Sequence, residues 1–377
     1  MRIDQTDFIL SEQELAGAVQ KLGLRLTDLG MRPAASDSGA DPAAFSVAYG
    51  TLPAGEQQRL AGALQTLSQP LRTLKLHYSL ADESVTRSVL AWDGMETDTC
   101  VAMHQTGAGR RISSRSHSEL KSLSRNILAV NDGIREAQIR LNLSAAGLLS
   151  WLAIAEQMKL QQLHALLKHE KQAFIFGTKD IEARLSEAGT EDFRWPLMFF
   201  DKVMPAAWAQ AITKEEMLSA FRELEKAELM EAAGADIFEL TEKGKWLATE
   251  WLHEVSKMAL GLSEKRADGQ TGFEMLYLVR TAGFLFMINL SGAEGILASI
   301  GPDTLEVFLD DWFRAPGAVA VSSRNCPSCQ ATLSPGARFC PECGTRLEAD
   351  ANTCGKCGHT NRPGARFCES CGNSLTG

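Results

Sequence analysis

Eight of the chain's nine cysteines fall in its last 52 residues, in one spacing written twice. Cys326-x2-Cys329-x10-Cys340-x2-Cys343 is followed by Cys354-x2-Cys357-x10-Cys368-x2-Cys371, a repeat of 28 residues. The text Pro-Gly-Ala-Arg-Phe-Cys ends at Cys340 and again at Cys368. Four thiolates delivered as two close pairs are the ligand set of a structural zinc ion. Zinc accepts a tetrahedron of sulfurs, and each C-x-x-C turn fills two corners without strain. Protein sulfur occupies every ligand position, so none is left for water or substrate, and the spacing predicts two structural Zn2+ ions without catalytic chemistry. Units of about two dozen residues cannot bury a stabilising core, and metal binding must replace it. Gly344, Gly358 and Gly372 sit where a left-handed backbone turns amides toward the thiolates, and Phe339 and Phe367 can cover the metal's apolar flank.

Length and composition bound the rest. A chain of 377 residues implies two or three domains, and 45% apolar with 23% charged residues describes an ordinary globular protein. A net charge of -9 argues against broad adhesion to nucleic acid or anionic lipid, although it leaves nucleic acid open to the tail. The first residues lack the apolar run of a secretory signal. Phe273 to Leu290 is apolar enough to suggest a membrane span. It holds Glu274, Arg280 and Gly283 among strand formers, so it reads as two buried strands joined by a turn, with no membrane span. The expected location is cytoplasmic, where thiols stay reduced and regular cysteines mean metal.

Along the chain, Ser11-Glu12-Gln13-Glu14 opens a capped helix whose period continues through Leu15, Val19, Leu22 and Leu26 toward residue 30. A loop covers 33–42, and a helix about Ala54 to Ser68 stops at Pro70. The period then changes to two. Strands are predicted from Leu71 to Tyr78, Val85 to Trp92 and Cys100 to Gln105, with Arg110 to Ser114 extending the sheet and a helix from Ser118. The same order returns later: strands at 273–281, 284–290 and 294–299, then a helix from Asp303. Leu148 to His169 is a long helix between them.

The fold class read from this order is α+β: two helix-plus-antiparallel-sheet halves with a winged-helix-like element, then a C-terminal tandem four-cysteine zinc ribbon. The divisions are 1–145, 146–313, a linker at 314–325, and ribbons at 326–345 and 354–373.

At the cysteines, the Cys-Pro-x-Cys and Phe-Cys-x-x-Cys-Gly arms with trailing Leu347 and Leu375 resemble the double zinc ribbons of many prokaryotic proteins. That resemblance implies a docking or recognition module and no defined reaction. Residues 213–252 resemble the second half of a winged helix, with Met217, Leu218, Phe221 and Leu224 facing inward and 231–238 as a wing. Such domains often read DNA with the helix before the wing. Here that stretch carries five Lys/Arg against ten Asp/Glu, which repels phosphate, so a protein-binding or structural role is favoured. The order from Leu60 to Ile127, with Leu67 to Pro70 and the Asp93-Gly94 turn, resembles the substrate-binding chaperones of type VII secretion. That likeness implies two pseudo-symmetric halves that grip client proteins.

Other constellations read as structure. Cys100 begins an apolar strand, and His77, His104 and His117 flank it at irregular spacing, so a buried core cysteine is expected. His164 and His169 stand on different faces of their helix. Gly107-Ala-Gly109-Arg110-Arg111 lacks the ending of a phosphate loop and reads as a hairpin turn. Arg110, Arg111, Arg115 and Arg125 form a basic stretch, either a solvated sheet edge or a site for an acidic partner. The function expected is a non-catalytic cytosolic adaptor or chaperone-like protein that holds a partner protein on its body and docks through its ribbons; the chaperone resemblance implies an association with secretion. Arg338, Arg366, Arg110 and Arg111 are the candidate contacts. The alternative is a DNA-binding regulator using the winged helix and ribbons.

Overall fold

The computed structural model describes residues 1–4, 6–31, 42–80, 84–94, 98–130, 133–186, 195–203, 212–265, 269–291, 294–314, 324–325 and 332–333. Met1–Gly317 form one compact unit and Ala318–Gly377 a second.

The first unit runs through one order of elements twice. It opens with β1 (Arg2–Asp4), β2 (Asp7–Leu10), α1 (Glu12–Lys21), α2 (Pro42–Gly50) and α3 (Ala54–Ser68). The meander β3 (Arg72–Leu80), β4 (Ser84–Trp92), β5 (Thr99–Thr106) and β6 (Gly109–Ser116) follows, closed by α4 (His117–Ile127). The second pass begins with β7 (Arg140–Ser144) and α5 (Ala145–Lys168). A helical segment comes next: β8 (Ile175–Gly177), α6 (Thr178–Ser186), α7 (Pro196–Val203), α8 (Lys214–Lys226), β9 (Met230–Ala232), β10 (Ile237–Leu240) and α9 (Glu242–Leu252). The second meander is β11 (Glu254–Lys265), β12 (Thr271–Thr281), β13 (Leu285–Ser291) and β14 (Glu294–Ser299), closed by α10 (Pro302–Trp312).

The expected halves are therefore present, and they share a single sheet. Eleven strands lie in the order β1-β2-β6-β5-β4-β3-β11-β12-β13-β14-β7, with every pair antiparallel. The seam is the ladder between β3 and β11, with Leu76 opposite Leu260 and Tyr78 opposite Met258. β7 occupies in the second half the place that β2 holds in the first.

Strand alternation sorts the side chains. On one face Leu74, Leu76, Leu90, Met258, Leu260, Leu276 and Leu278 join α4 and α10 in a core that crosses the seam. The opposite face holds two separate cores. α1, α2 and α3 cover Phe8, Ala91, Met103 and Ile112, while α5, α7, α8 and α9 cover Met275, Tyr277, Phe286, Ile288 and Leu297. Between those cores β3 presents Lys75, His77 and Ser79 in alternation with its apolar residues, and His77 pairs with Arg87 of β4. α4 and α10 lie side by side, laced by Lys121 to Glu306 (2.9 Å) and Asp310 (2.6 Å) and by Arg125 to Glu306.

Local chemistry explains several boundaries. Ser11, Ser116 and Thr213 each close a capping box with a Glu three residues on. α4 thus starts at His117, one residue before the expected Ser118, because Ser116 is the cap. α1 ends at Lys21 rather than continuing to residue 30, because Gly23 takes φ +61 and Leu26 is left exposed. α2 adds a helix where none was predicted; in it Phe45 is buried and stacks on Tyr49 at 5.3 Å, while Val47 is left exposed. β11 was also missed. It is buried on both faces with Lys257 and Gly261 inside, so its sequence lacks the alternation of a half-exposed strand. The stretch 213–252 has the expected helix, hairpin and helix, and β8 adds a third strand in the order β8-β10-β9.

Candidate metal centre and protein-binding surface

In the second unit the described elements are two short strands, β15 (Arg324–Asn325) and β16 (Thr332–Leu333). They pair antiparallel, with Arg324 opposite Leu333 and Asn325 opposite Thr332. The ladder joins residues that flank the segment containing Cys326 and Cys329 in sequence. The eight cysteines, Arg338 and Arg366 lie outside the described residues. The donor set is all sulfur and repeated, which fits zinc.

Residues 326–375 match the family model for the double zinc ribbon. The tail is a double zinc ribbon. That family implies zinc binding. No curated protein matches the chain in sequence. Among solved structures, the chain is similar to the Mycobacterium tuberculosis type VII secretion system chaperone EspG5, solved in complex with a PE25-PPE41 dimer. The likeness covers 81% of this chain and 95% of that one at 10% identity and a TM-score of 0.42. Among the described residues, no helix is long and apolar enough to cross a membrane.

In the body the basic stretch is held by its own carboxylates. Arg110 Nε donates to Glu12, Arg111 lies 3.5 Å and Arg115 4.0 Å from Asp7, and Arg125 pairs with Glu306. Cys100 is buried in the core that spans the seam. Burial pushes its thiol up to about 12, which leaves it unreactive at neutral pH. His104 Nδ1 lies 2.5 Å from Ser88 Oγ, and burial lowers its pKa. His77 alternates with Leu76 and so faces away from Cys100. Burial, with Lys75 and Arg87 nearby, holds it neutral with a pKa of about 3. His117 starts α4 and reaches Asp310 at 3.3 Å. His169 caps α5 in the left-handed region at φ 56, away from His164 as expected. Among the described residues, no group of three or more His, Cys, Asp or Glu could hold a metal ion.

The sequence reading missed a buried charge cluster beneath α7. Lys257, 1% exposed, donates to Glu254 Oε1 at 2.7 Å, and Lys159 reaches the same oxygen at 3.3 Å. Lys257 Nζ also lies 5.1 Å from the centre of the Phe199 ring of α7. Glu156, 4% exposed, accepts the Leu197 N–H of the first turn of α7 at 2.7 Å. The signal available was Glu156 itself, one acid within the apolar run Trp151 to Met158. Burial raises its pKa to about 8, although Arg184, Lys159 and Lys257 pull the other way. The native state therefore holds a proton that the unfolded chain releases near pH 4.5. This contribution to stability is complete below that pH and is lost as pH rises toward 8. Glu156→Gln keeps the acceptor for Leu197 and removes the titration. At pH 8 the variant is expected to be more stable than the parent by about 4 kcal/mol, with no gain at pH 4.5, as urea melts at both pH values would read.

The face of α5 that carries Glu156 continues at helical spacing through Leu160, Leu163 and Leu167. α7 covers it at Glu156. Two turns further on it opens: Leu163 is 48%, Leu166 65% and Leu167 78% exposed. His164, Lys168, His169 and Lys171 surround these leucines and are also exposed, with Glu170 the one acid among them.

Proposed function

We propose that the protein is a non-catalytic cytosolic adaptor that holds a partner protein on its body and docks through two zinc-stabilised ribbons. The exposed leucines of α5 carry this reading. Leucines in solution at three neighbouring helical positions raise the free energy of the isolated protein, and covering them recovers about 1.5–3 kcal/mol per fully buried side chain. The surrounding lysines and histidines favour an amphipathic partner helix with acidic flanks, set against a body whose overall charge is negative.

In the ribbons every ligand position is protein sulfur, and Arg338 and Arg366, each two residues before a metal ligand, supply charge for a second contact. α8 supports protein binding over DNA reading, because its exposed positions include Glu215 and Glu216 beside Lys214. The test is affinity purification of the intact chain against Leu163→Glu/Leu167→Glu and against a chain lacking 321–377. The leucine variant, with an unchanged circular dichroism spectrum, should lose one set of partners, and the truncated chain should lose a different set. Identical partners from all three would overturn the reading.

A further inference from the structure

β7 ends the eleven-stranded sheet, and its outer side pairs with no strand among the described residues. Leu141 and Leu143 turn their side chains into the core, while Arg140 and Asn142 are exposed. The peptide groups alternate as well. The Ile139 carbonyl accepts from Ser299 toward β14, whereas the Ser144 N–H points outward to Glu223 Oε2 at 2.9 Å. The N–H and C=O of Arg140 and Asn142 lie between these two and share the outward direction of Ser144.

The molecule shows at its other end what such an edge accepts. β2 is the counterpart of β7: each is a short strand leading directly into a serine that caps the next helix, Ser11 just after β2 for α1 and Ser144 at the end of β7 for α5. In the first half the Ser11 N–H donates to Glu14 at 2.8 Å, completing the capping box. In the second half Gly147 stands where that Glu would be, and Glu223 of α8 supplies the carboxylate; a Cβ on Gly147 would meet that oxygen at 2.7 Å. The two ends also differ in what they pair with: β2 carries an added antiparallel strand, β1, with Ile3 opposite Phe8, and β7 carries none among the described residues.

Beside the bare edge lies a groove of about 690 Å³ whose polar lining comes from Asn142, Ser144, Glu223, Asn289, Ser291 and Glu294. Asn289 Oδ1 is buried there without a hydrogen-bond partner. The groove is rich in acceptors, and Arg140 stands at the opposite end of the same strand.

We propose that β7 pairs antiparallel with β7 of a second copy of this chain, joining two sheets across a two-fold axis. An edge with Arg140 at one end and an acceptor-lined groove at the other is complementary to itself when reversed, as a two-fold interface requires. With Arg140 of each copy opposite Asn142 of the other, the outward peptide groups meet in two hydrogen-bonded pairs. Each Arg140 guanidinium then lies at the mouth of the other copy's groove, where the Glu294 carboxylate of β14 accepts it. Ser144 keeps its bond to Glu223.

The experiment is sedimentation velocity of the intact, zinc-loaded chain over a concentration series. The wild type is expected to dimerise. Asn142→Pro removes the outward N–H without touching a bond within the chain, and should weaken the dimer roughly tenfold or more. Arg140→Glu and Glu294→Arg should each weaken it, and the double reversal should restore it. A wild-type chain that stays monomeric at every concentration overturns the proposal. So does a dimer that survives both Asn142→Pro and Arg140→Glu.

Discussion

Chelation is expected to unfold the tail and leave the body intact. Adding EDTA should release two zinc ions per chain, make residues 326–375 susceptible to protease, and leave the thermal transition of residues 1–317 unchanged. The reason is one of scale. A ribbon has too few residues to fold on apolar burial alone. Structural zinc contributes about 10–16 kcal/mol of apparent binding free energy, and in such a unit this is the folding free energy. Cys340→Ser should abolish the first site and Cys368→Ser the second, each leaving one ion in elemental analysis. A full complement in either variant, or a tail that resists protease after chelation, would contradict the assignment of these sulfurs.

The second large effect is at Lys257. The substitution Lys257→Ala should destabilise the body by about 3–5 kcal/mol, because Glu254, 8% exposed at its side chain, would keep only Lys159 as an ionic partner. The ammonium stem would also leave a void beneath Phe199. Replacing both charges, as Lys257→Met with Glu254→Gln, should restore most of that loss, since exchanging a buried pair for neutral groups of similar size is often close to neutral. Denaturant unfolding of the two variants checks this. If the single and double changes cost the same, the pair is not the source of the stability. α7 is the element to watch. It packs on β11 so closely that a Cβ on Gly261 would meet the Val203 carbonyl at 2.4 Å.

Much of this architecture was legible beforehand, for identifiable reasons. The meanders at 72–116 and 271–299 announce themselves because each strand alternates or is bounded by turns, and the double ribbon because metal ligands tolerate little change of spacing. Residues 273–290 prove to be β12 and β13, not a span, since Glu274 and Arg280 could be satisfied at strand positions. What escaped was whatever depended on a distant partner. β1 and β7 are too short to signal themselves, and β11 is buried on both faces. The ion pairs that occupy Arg110 and Arg111 come from Glu12 and Asp7, about a hundred residues earlier. The leucines of α5 were visible as letters, but their exposure depends on tertiary packing that no local pattern reports.

The seam between β3 and β11 has a consequence for how the chain can be divided. Nine residues of one half are matched to nine of the other, from Ser256 opposite Leu80 to Glu264 opposite Arg72. A cut in the 128–139 connection would therefore release no autonomous module. It would leave two fragments with long raw strands, each the template for the other, and their return to one another would behave like the complementation of a split protein.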